Sequence, residues 1–250
     1  IVLKEQIYNV LRNVRKLSDL LGQLMDFRKI ESGAVQLKVS RNNIVKFLVE
    51  IVQDFRESCN QKNIDILLTS NKEEIWVWYD PGKMDKIIRN LLSNSYKFTS
   101  RNGRIEVKAY TRLIKLNKNE VPAEVDEQEV LVIKVIDNGK GIPEIEKDKI
   151  FDRFYQIEKF TSRNNPEGTG IGLSIVKEFI QMHHGEIHVD SIPNLETTFT
   201  IYLPLGNQHY TIDEVATNET NDSIISDDLF LDYPQNSVGS TAEVEIKADE

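Results

Sequence analysis

Two glycine-rich runs, one leaving a strand and the other entering a helix, leave this chain few ways to fold. Asp137-Asn138-Gly139-Lys140-Gly141 follows directly on the β-branched stretch from Val130, and Gly168-Thr169-Gly170-Ile171-Gly172-Leu173 leads into a segment with Val176, Phe179 and Ile180 at helical spacing. Upstream lies a third element, a helix carrying Asn90, Asn94 and Lys97. A carboxylate held at a strand end, glycine turns that admit close approach, and a carboxamide face together describe a pocket for a nucleotide and its metal.

The helix from Lys83 to Phe98 has two countable faces. Met84, Ile87, Ile88, Leu91 and Leu92 share one arc, while Asn90, Asn94 and Lys97, spaced by four and three, share another. Asp80-Pro81 starts it, since Asp caps free amides and Pro at the first helical position gives up no needed donor. A carboxamide oxygen is a neutral hard ligand suited to Mg²⁺ that already carries phosphate oxygens, and Lys97 lies one turn away to meet those phosphates. An ordinary solvated face fits the same spacing equally well.

Asp137 at the end of a strand can accept a hydrogen bond from an exocyclic amine, a charge-assisted bond of roughly 1.5–3 kcal/mol that would select adenine over a base lacking the amine. Gly139 and Gly141 permit positive φ and close backbone approach. Taken alone, Asn138-Gly139 also reads as a plain β-turn. The second glycine run, at a helix N-terminus, offers free N–H groups and the positive end of the dipole to an anion. Its spacing is neither that of the dinucleotide fingerprint nor that of a P-loop.

Other chemistries fail. His184 and His188 are four apart, but Gly185 and the strand after it break any helix that would pair them on a metal, so they read as surface histidines. Ser174 lacks a nucleophile elbow, and one cysteine, Cys59, forms neither an internal disulfide nor a zinc pair. A lone cysteine on an amphipathic helix reads as a small buried side chain and a reducing, cytoplasmic setting. The net charge of −9 sits in the tail: from Asn207 onward eleven carboxylates face Lys247, leaving 30 basic and 29 acidic residues in the body. A balanced body argues against nucleic acid as a ligand.

The opening residues place Leu3, Ile7, Val10, Val14, Leu17, Leu21 and Leu24 at alternating steps of four and three, widened by Leu11, Leu20 and Met25. That stripe suits a helix in a bundle, which needs partners: a preceding helix, a second copy, or both. No run approaches the roughly 18 apolar residues of a membrane span, and a sequence opening at Ile1 reads as a fragment. The expected organisation is a bundle helix over 1–33 ending at Glu31-Ser32-Gly33, a globular domain over 34–206, and an acidic linker or tail over 207–250. Within the domain we expect strands at 36–39, 65–69, 75–79, 104–116, 130–137, 187–191 and 198–203. Helices are expected at 43–58, 81–98 and 170–182. Antiparallel sheet on one side and three helices on the other make a two-layer α/β sandwich of the α+β class.

Over residues 4–205 the chain resembles the catalytic and ATP-binding domain of sensor histidine kinases, within the GHKL group of ATPases and kinases. Asn90-Leu-Leu-Ser-Asn94-Ser-Tyr-Lys97-Phe98-Thr99 resembles the N box, Asp137 to Gly141 the first glycine box, Phe151-Asp-Arg-Phe154 the F box and Gly168 to Leu173 the second glycine box. The resemblance implies a Bergerat-type ATP-binding fold preceded by a long bundle-forming helix. It implies that Asp137 binds the adenine amine, Asn94 ligates Mg²⁺ with Asn90 nearby, Lys97 meets phosphate, and Phe98 lines the base or sugar side. Gly139, Gly141, Gly168, Thr169, Gly170, Gly172 and Leu173 border the nucleotide. Residues 156–167 become an ATP lid with Lys159 and Arg163 as phosphate contacts. Near Asn194 to Thr198 the third glycine motif of the family has lost its glycines, with Thr198 the candidate contact left there.

The opening helix resembles the second helix of the dimerisation and phosphoacceptor hairpin. The first, which carries the acceptor histidine in the family, is not found in this sequence, and none of His183, His184, His188 or His209 lies in such a context. Implied partners are ATP, the chain's own phosphoacceptor hairpin, a receiver domain following an acidic linker, and a second copy in a homodimer. Hydrolytic GHKL members carry a glutamate general base one turn before the metal-binding Asn, where this chain has Asn90, so a kinase is expected before a hydrolase. A non-catalytic nucleotide-binding or dimer-scaffold module is the alternative. The fragment alone should bind nucleotide without phosphorylating itself.

Overall fold

The computed structural model describes residues 2–115, 127–157 and 169–216. In chain order these form α1 (Val2–Glu31), β1 (Ser40–Asn43), α2 (Ile44–Gln61), β2 (Asp65–Ser70), β3 (Trp76–Tyr79), α3 (Pro81–Phe98), β4 (Arg104–Lys115), β5 (Glu127–Asp137), a 3-10 turn (Glu144–Glu146), α4 (Gly172–Met182), β6 (Glu186–Ile192) and β7 (Glu196–Pro204).

Capping sets the helix starts. Asn43 Oδ1 accepts the Val45 amide at 3.1 Å ahead of α2, and Asp80 Oδ1 accepts the Lys83 amide at 3.0 Å ahead of α3, with Pro81 in its first turn. Each helix then buries one stripe: Leu48, Ile51 and Val52 from α2, Ile87, Ile88, Leu91 and Leu92 from α3, and Val176, Phe179 and Ile180 from α4. Cys59 is fully buried in α2, as a small apolar side chain would be.

The five-stranded sheet runs β2-β4-β5-β7-β6. β2 lies parallel to β4, whereas the sequence reading expected antiparallel pairing throughout. The chain crosses from β2 through β3 and α3 before entering β4, and such a crossover brings a strand back in the same direction. The strand expected at 36–39 begins later, as β1, and pairs antiparallel with β3 in a separate two-stranded sheet. The tip expected between β4 and β5 lies mostly outside the described residues.

Alternation along the central strands fixes the two layers. Ile105, Val107 and Ala109 of β4, Leu131, Ile133 and Val135 of β5, and Phe199, Ile201 and Leu203 of β7 are buried in one core with α2, α3 and α4. Fully burying each large aliphatic side chain contributes about 1.5–3 kcal/mol. Asp137 is the next inward position on β5 after Val135, so the strand that builds the core also delivers a carboxylate to its rim.

Two segments at the edges of the body make contacts with it. Residues 207–216, assigned to the tail by composition, lie on the body. Val39 and Val215 form a parallel bridge, the Val39 amide donates to the Glu214 carbonyl at 2.7 Å, and the Ala216 amide donates to the Val39 carbonyl at 2.9 Å. Tyr210 packs with Leu37, Val39, Trp78 and Met182. Beneath this strap His183 is fully buried: its Nε2 accepts the Asp80 amide at 3.0 Å and its Nδ1 bonds the Phe179 carbonyl at 2.6 Å. That pairing demands a neutral ring protonated on Nδ1, and burial lowers its pKa. His184 and His188 are exposed, as expected.

The last turns of α1 also touch the body. Asp26 pairs with Lys86 at 2.7 Å, Glu31 with Arg153 at 3.0 Å, and Phe27 meets Phe154 edge-on at 6.1 Å. Its apolar seam faces outward: Ile7, Val10, Val14, Leu17, Leu21 and Leu24 are each 43–60 % exposed.

Candidate nucleotide site

Asp137 is 5 % exposed and has two internal donors. Ser95 Oγ donates to Oδ2 at 2.9 Å, and the Gly139 amide donates to Oδ1 at 3.0 Å. Burial raises the carboxyl's pKa, the two hydrogen bonds pull it back, and Glu196 nearby adds a smaller upward push. A carboxylate offers about four lone-pair positions, so two remain for a ligand's donor.

The first glycine run is moulded onto the end of α3. A side chain at Gly139 would begin 2.7 Å from both the Asp137 carboxylate and the Phe98 carbonyl, and the Lys140 amide donates to that same carbonyl at 3.3 Å. Gly141 has φ +69°, and a Cβ there would sit 2.6 Å from the Ile192 carbonyl oxygen, so glycine is required twice over.

The far end of the α3 face meets the second glycine run. Asn90 Nδ2 donates to the Lys86 carbonyl at 2.7 Å, which turns Oδ1 outward; a Cβ on Gly172 would lie 2.6 Å from that oxygen. α3 therefore meets both runs, from its buried arc through Ser95 to Asp137 and from its carboxamide face through Asn90 to Gly172. Asn94 lies between them, half-buried, with no side-chain hydrogen bond among the described residues. Lys97, on the same face, places its ammonium 4.6 Å from the centre of the Phe98 ring.

Of the second run, Thr169 Oγ1 donates to Gln23 Oε1 at 2.7 Å and accepts the Ile171 amide at 3.1 Å, tying the run to α1. The Gly170 carbonyl accepts the Phe154 amide at 2.9 Å, joining it to the F-box segment, and Leu173 packs on the core. Gly168, Lys159 and Arg163 lie outside the described residues.

The register of β5 with β7 separates the two threonines. Thr197, not Thr198, is opposite Asp137, while Thr198 is opposite Ile136 and belongs to the other face of the sheet. A one-residue step flips a side chain across the pleat. Thr197 Oγ1 lies 2.9 Å from Ser191 Oγ, whose own proton goes to the Glu196 carbonyl at 3.0 Å, so the Thr197 hydroxyl donates to Ser191. Sequence reasoning also passed over Ser95. The available signal was that it continues the apolar arc of Ile88, Leu91 and Leu92, where a polar side chain needs a partner.

The site's residues lie within a recognisable family. Residues 79–207 match the family described as "Histidine kinase-, DNA gyrase B-, and HSP90-like ATPase". Histidine kinase P4 of Formosa agariphila is 34% identical over 85% of this chain and 14% of its own length. Hybrid signal transduction histidine kinase D of Dictyostelium discoideum is 33% identical over 78% of this chain and 12% of its own length. The chain thus spans about one seventh or less of these two relatives. Among solved structures, the nucleotide-free catalytic domain of histidine kinase ThkA shares the fold with a TM-score of 0.53 and 24% identity, covering 67% of this chain and 97% of that one. With the family match spanning more than half its length, the chain belongs to the histidine kinase-, DNA gyrase B- and HSP90-like ATPases.

Proposed function

We propose that this chain is the ATP-binding kinase core of a sensor histidine kinase. The observation that carries the reading is that one helix, α3, holds a buried, donor-held carboxylate at Asp137 through Ser95 and sets the carboxamide of Asn90 against the second glycine run. A carboxylate in that setting suits the adenine amine. The carboxamides of Asn94 and Asn90 suit Mg²⁺ carried on a triphosphate, and Lys97 on the same face suits its phosphates. The donors fit a hard cation because neither the Asn94 side chain nor Asn90 Oδ1 has a hydrogen-bond partner among the described residues, and Asn90 Oδ1 faces the second glycine run. Bound there, Mg²⁺ would neutralise phosphate charge. Lys159 and Arg163 are the further phosphate contacts this reading assigns, with Gly168 and Gly170 lining the chain of phosphates.

Asn90 stands where the resemblance places the water-activating glutamate of hydrolytic members, and a carboxamide cannot accept a proton from water at neutral pH. Transfer to an imidazole needs positioning and charge neutralisation instead: the ring nitrogen bonds the γ-phosphorus as the bridging oxygen leaves with ADP. We assign the acceptor to the partner helix of the hairpin whose second helix α1 resembles. The exposed seam of α1 supports packing against that helix and a second copy, as a homodimer. The acidic segment after the body, and the hybrid relative in Dictyostelium, support a receiver domain as a further partner. No described helix is long and apolar enough to cross a membrane. Because the reading is of a core that uses ATP, we assign the body to the cytoplasm.

Mixing the chain with a separately made acceptor hairpin and γ-labelled ATP tests this. Label should appear on the hairpin histidine and not on the chain alone. Steady phosphate release without an acceptor would favour hydrolysis, and nucleotide binding without either product would favour a scaffold role.

A further inference from the structure

Ser95 is the polar member of a buried arc. It is 1 % exposed and occupies the position that Ile88, Leu91 and Leu92 lead to along α3. A serine inside a helix commonly turns its hydroxyl back onto the carbonyl four residues earlier. Here the hydroxyl reaches across the helix–sheet boundary to Asp137 Oδ2 at 2.9 Å. It has one proton to give, and the carboxylate receives it.

The Gly139 amide holds the other oxygen at 3.0 Å. With one donor on each oxygen, the carboxylate plane cannot turn without breaking a hydrogen bond. The glycine donor is main chain and is present whatever the side chain. The serine donor belongs to this sequence and can be removed. Orienting an acceptor before the ligand arrives spares the binding step that ordering cost, which is how fixed dipoles gain affinity and selectivity.

Resting on the adenine-nucleotide reading above, we propose that Ser95 is a positioning residue that holds Asp137 in the orientation that receives an exocyclic amine. Discrimination between a 6-aminopurine and a purine lacking the amine then depends on Ser95, although Ser95 itself touches no ligand. The competing role is simple attachment of α3 to β5. Loss of such an attachment would weaken every nucleotide alike, whereas loss of a positioning contact weakens only the ligand that uses Asp137. Crossing a protein substitution with a ligand deletion separates the two.

The experiment is calorimetric titration of the whole chain, with Mg²⁺, using ATP and purine riboside triphosphate, for wild type, Ser95→Ala, Ser95→Cys and Ser95→Thr. Wild type should prefer ATP by about tenfold or more, the size expected of a charge-assisted bond. Ser95→Ala should weaken ATP about tenfold and the analogue less than about threefold, so that the preference collapses. Ser95→Cys, which keeps the volume with a poor donor, should do the same and serves if the alanine variant fails to fold. Ser95→Thr should retain the preference. Equal weakening of both nucleotides, or full preference in the alanine and cysteine variants, would overturn the proposal. Wild type that binds neither nucleotide would remove the nucleotide reading itself, an outcome distinct from wild type that binds ATP with a preference indifferent to Ser95.

Discussion

Cutting Tyr210 back to alanine should cost the body a sizeable part of its stability. The residue is 9 % exposed and fills the space between Leu37, Val39, Trp78 and Met182, while its hydroxyl lies 3.2 Å from the Trp78 carbonyl and 3.4 Å from that of His183. Truncating a large aromatic in a closed core costs about 3–5 kcal/mol. Tyr210 sits in a satellite cluster at the rim, which places the expectation at the lower end, about 3 kcal/mol. For a domain of this size that is a fall of roughly 6–12 °C in melting temperature. Tyr210→Phe keeps the packing and forfeits a shared hydrogen bond, about 1 kcal/mol. Scanning calorimetry on both variants, and on a chain ended after Leu205, gives the comparison. The shortened chain should melt at least as low as Tyr210→Ala, and the His183 ring, uncovered, should titrate closer to the ordinary histidine value by NMR. A shortened chain melting within about 1–2 °C of the whole would refute the strap's place in the fold.

Four further outcomes follow from the same contacts. Burial holds His183 below its usual pKa, so the unfolded chain takes up a proton first; stability should decline as pH falls below about 6.5, and His183→Gln should flatten that part of a pH–melting curve. Asp137 is raised, so the folded state protonates first: ATP affinity should fade on acidification at a higher pH than an ordinary aspartate would give, measurable by titration across pH. Gly172→Ala would put a methyl 2.6 Å from Asn90 Oδ1 and should reduce Mg·ATP affinity with little loss of melting temperature, because the displaced group is a side chain. Thr197→Val should weaken ATP binding by roughly threefold to tenfold while Thr198→Val leaves it unchanged, a contrast of about 0.7–1.4 kcal/mol that one calorimetric series would reveal.

What the residues disclosed depended on how local the physics was. The start of α3 was legible because Asp80 and Pro81 act within one turn of each other, and its two faces because helical geometry sorts neighbours at a known angle. Asp137 was legible for the same reason: strand alternation and the turn after it are properties of adjacent residues. Thr197 and Thr198 were not separable, since both are threonines and only pairing with β5 decides which faces inward. The same gap hid the parallel β2–β4 pair, because strand direction is set by the route of the chain between them. Acidic composition concealed the strap: Asp213 and Glu214 look like tail, yet their carbonyls are what Lys38 and Val39 bond. Once the strap was read as solvent-exposed, nothing marked His183 as buried.

The account stands most directly on a titration of Mg·ATP into wild type and Asp137→Asn. It predicts measurable binding to wild type and a loss of about tenfold to a hundredfold in the variant, the range for one charge-assisted hydrogen bond, with the melting temperature of the ligand-free variant unchanged or raised. Equal affinity in the two proteins, or no binding to wild type, would contradict it.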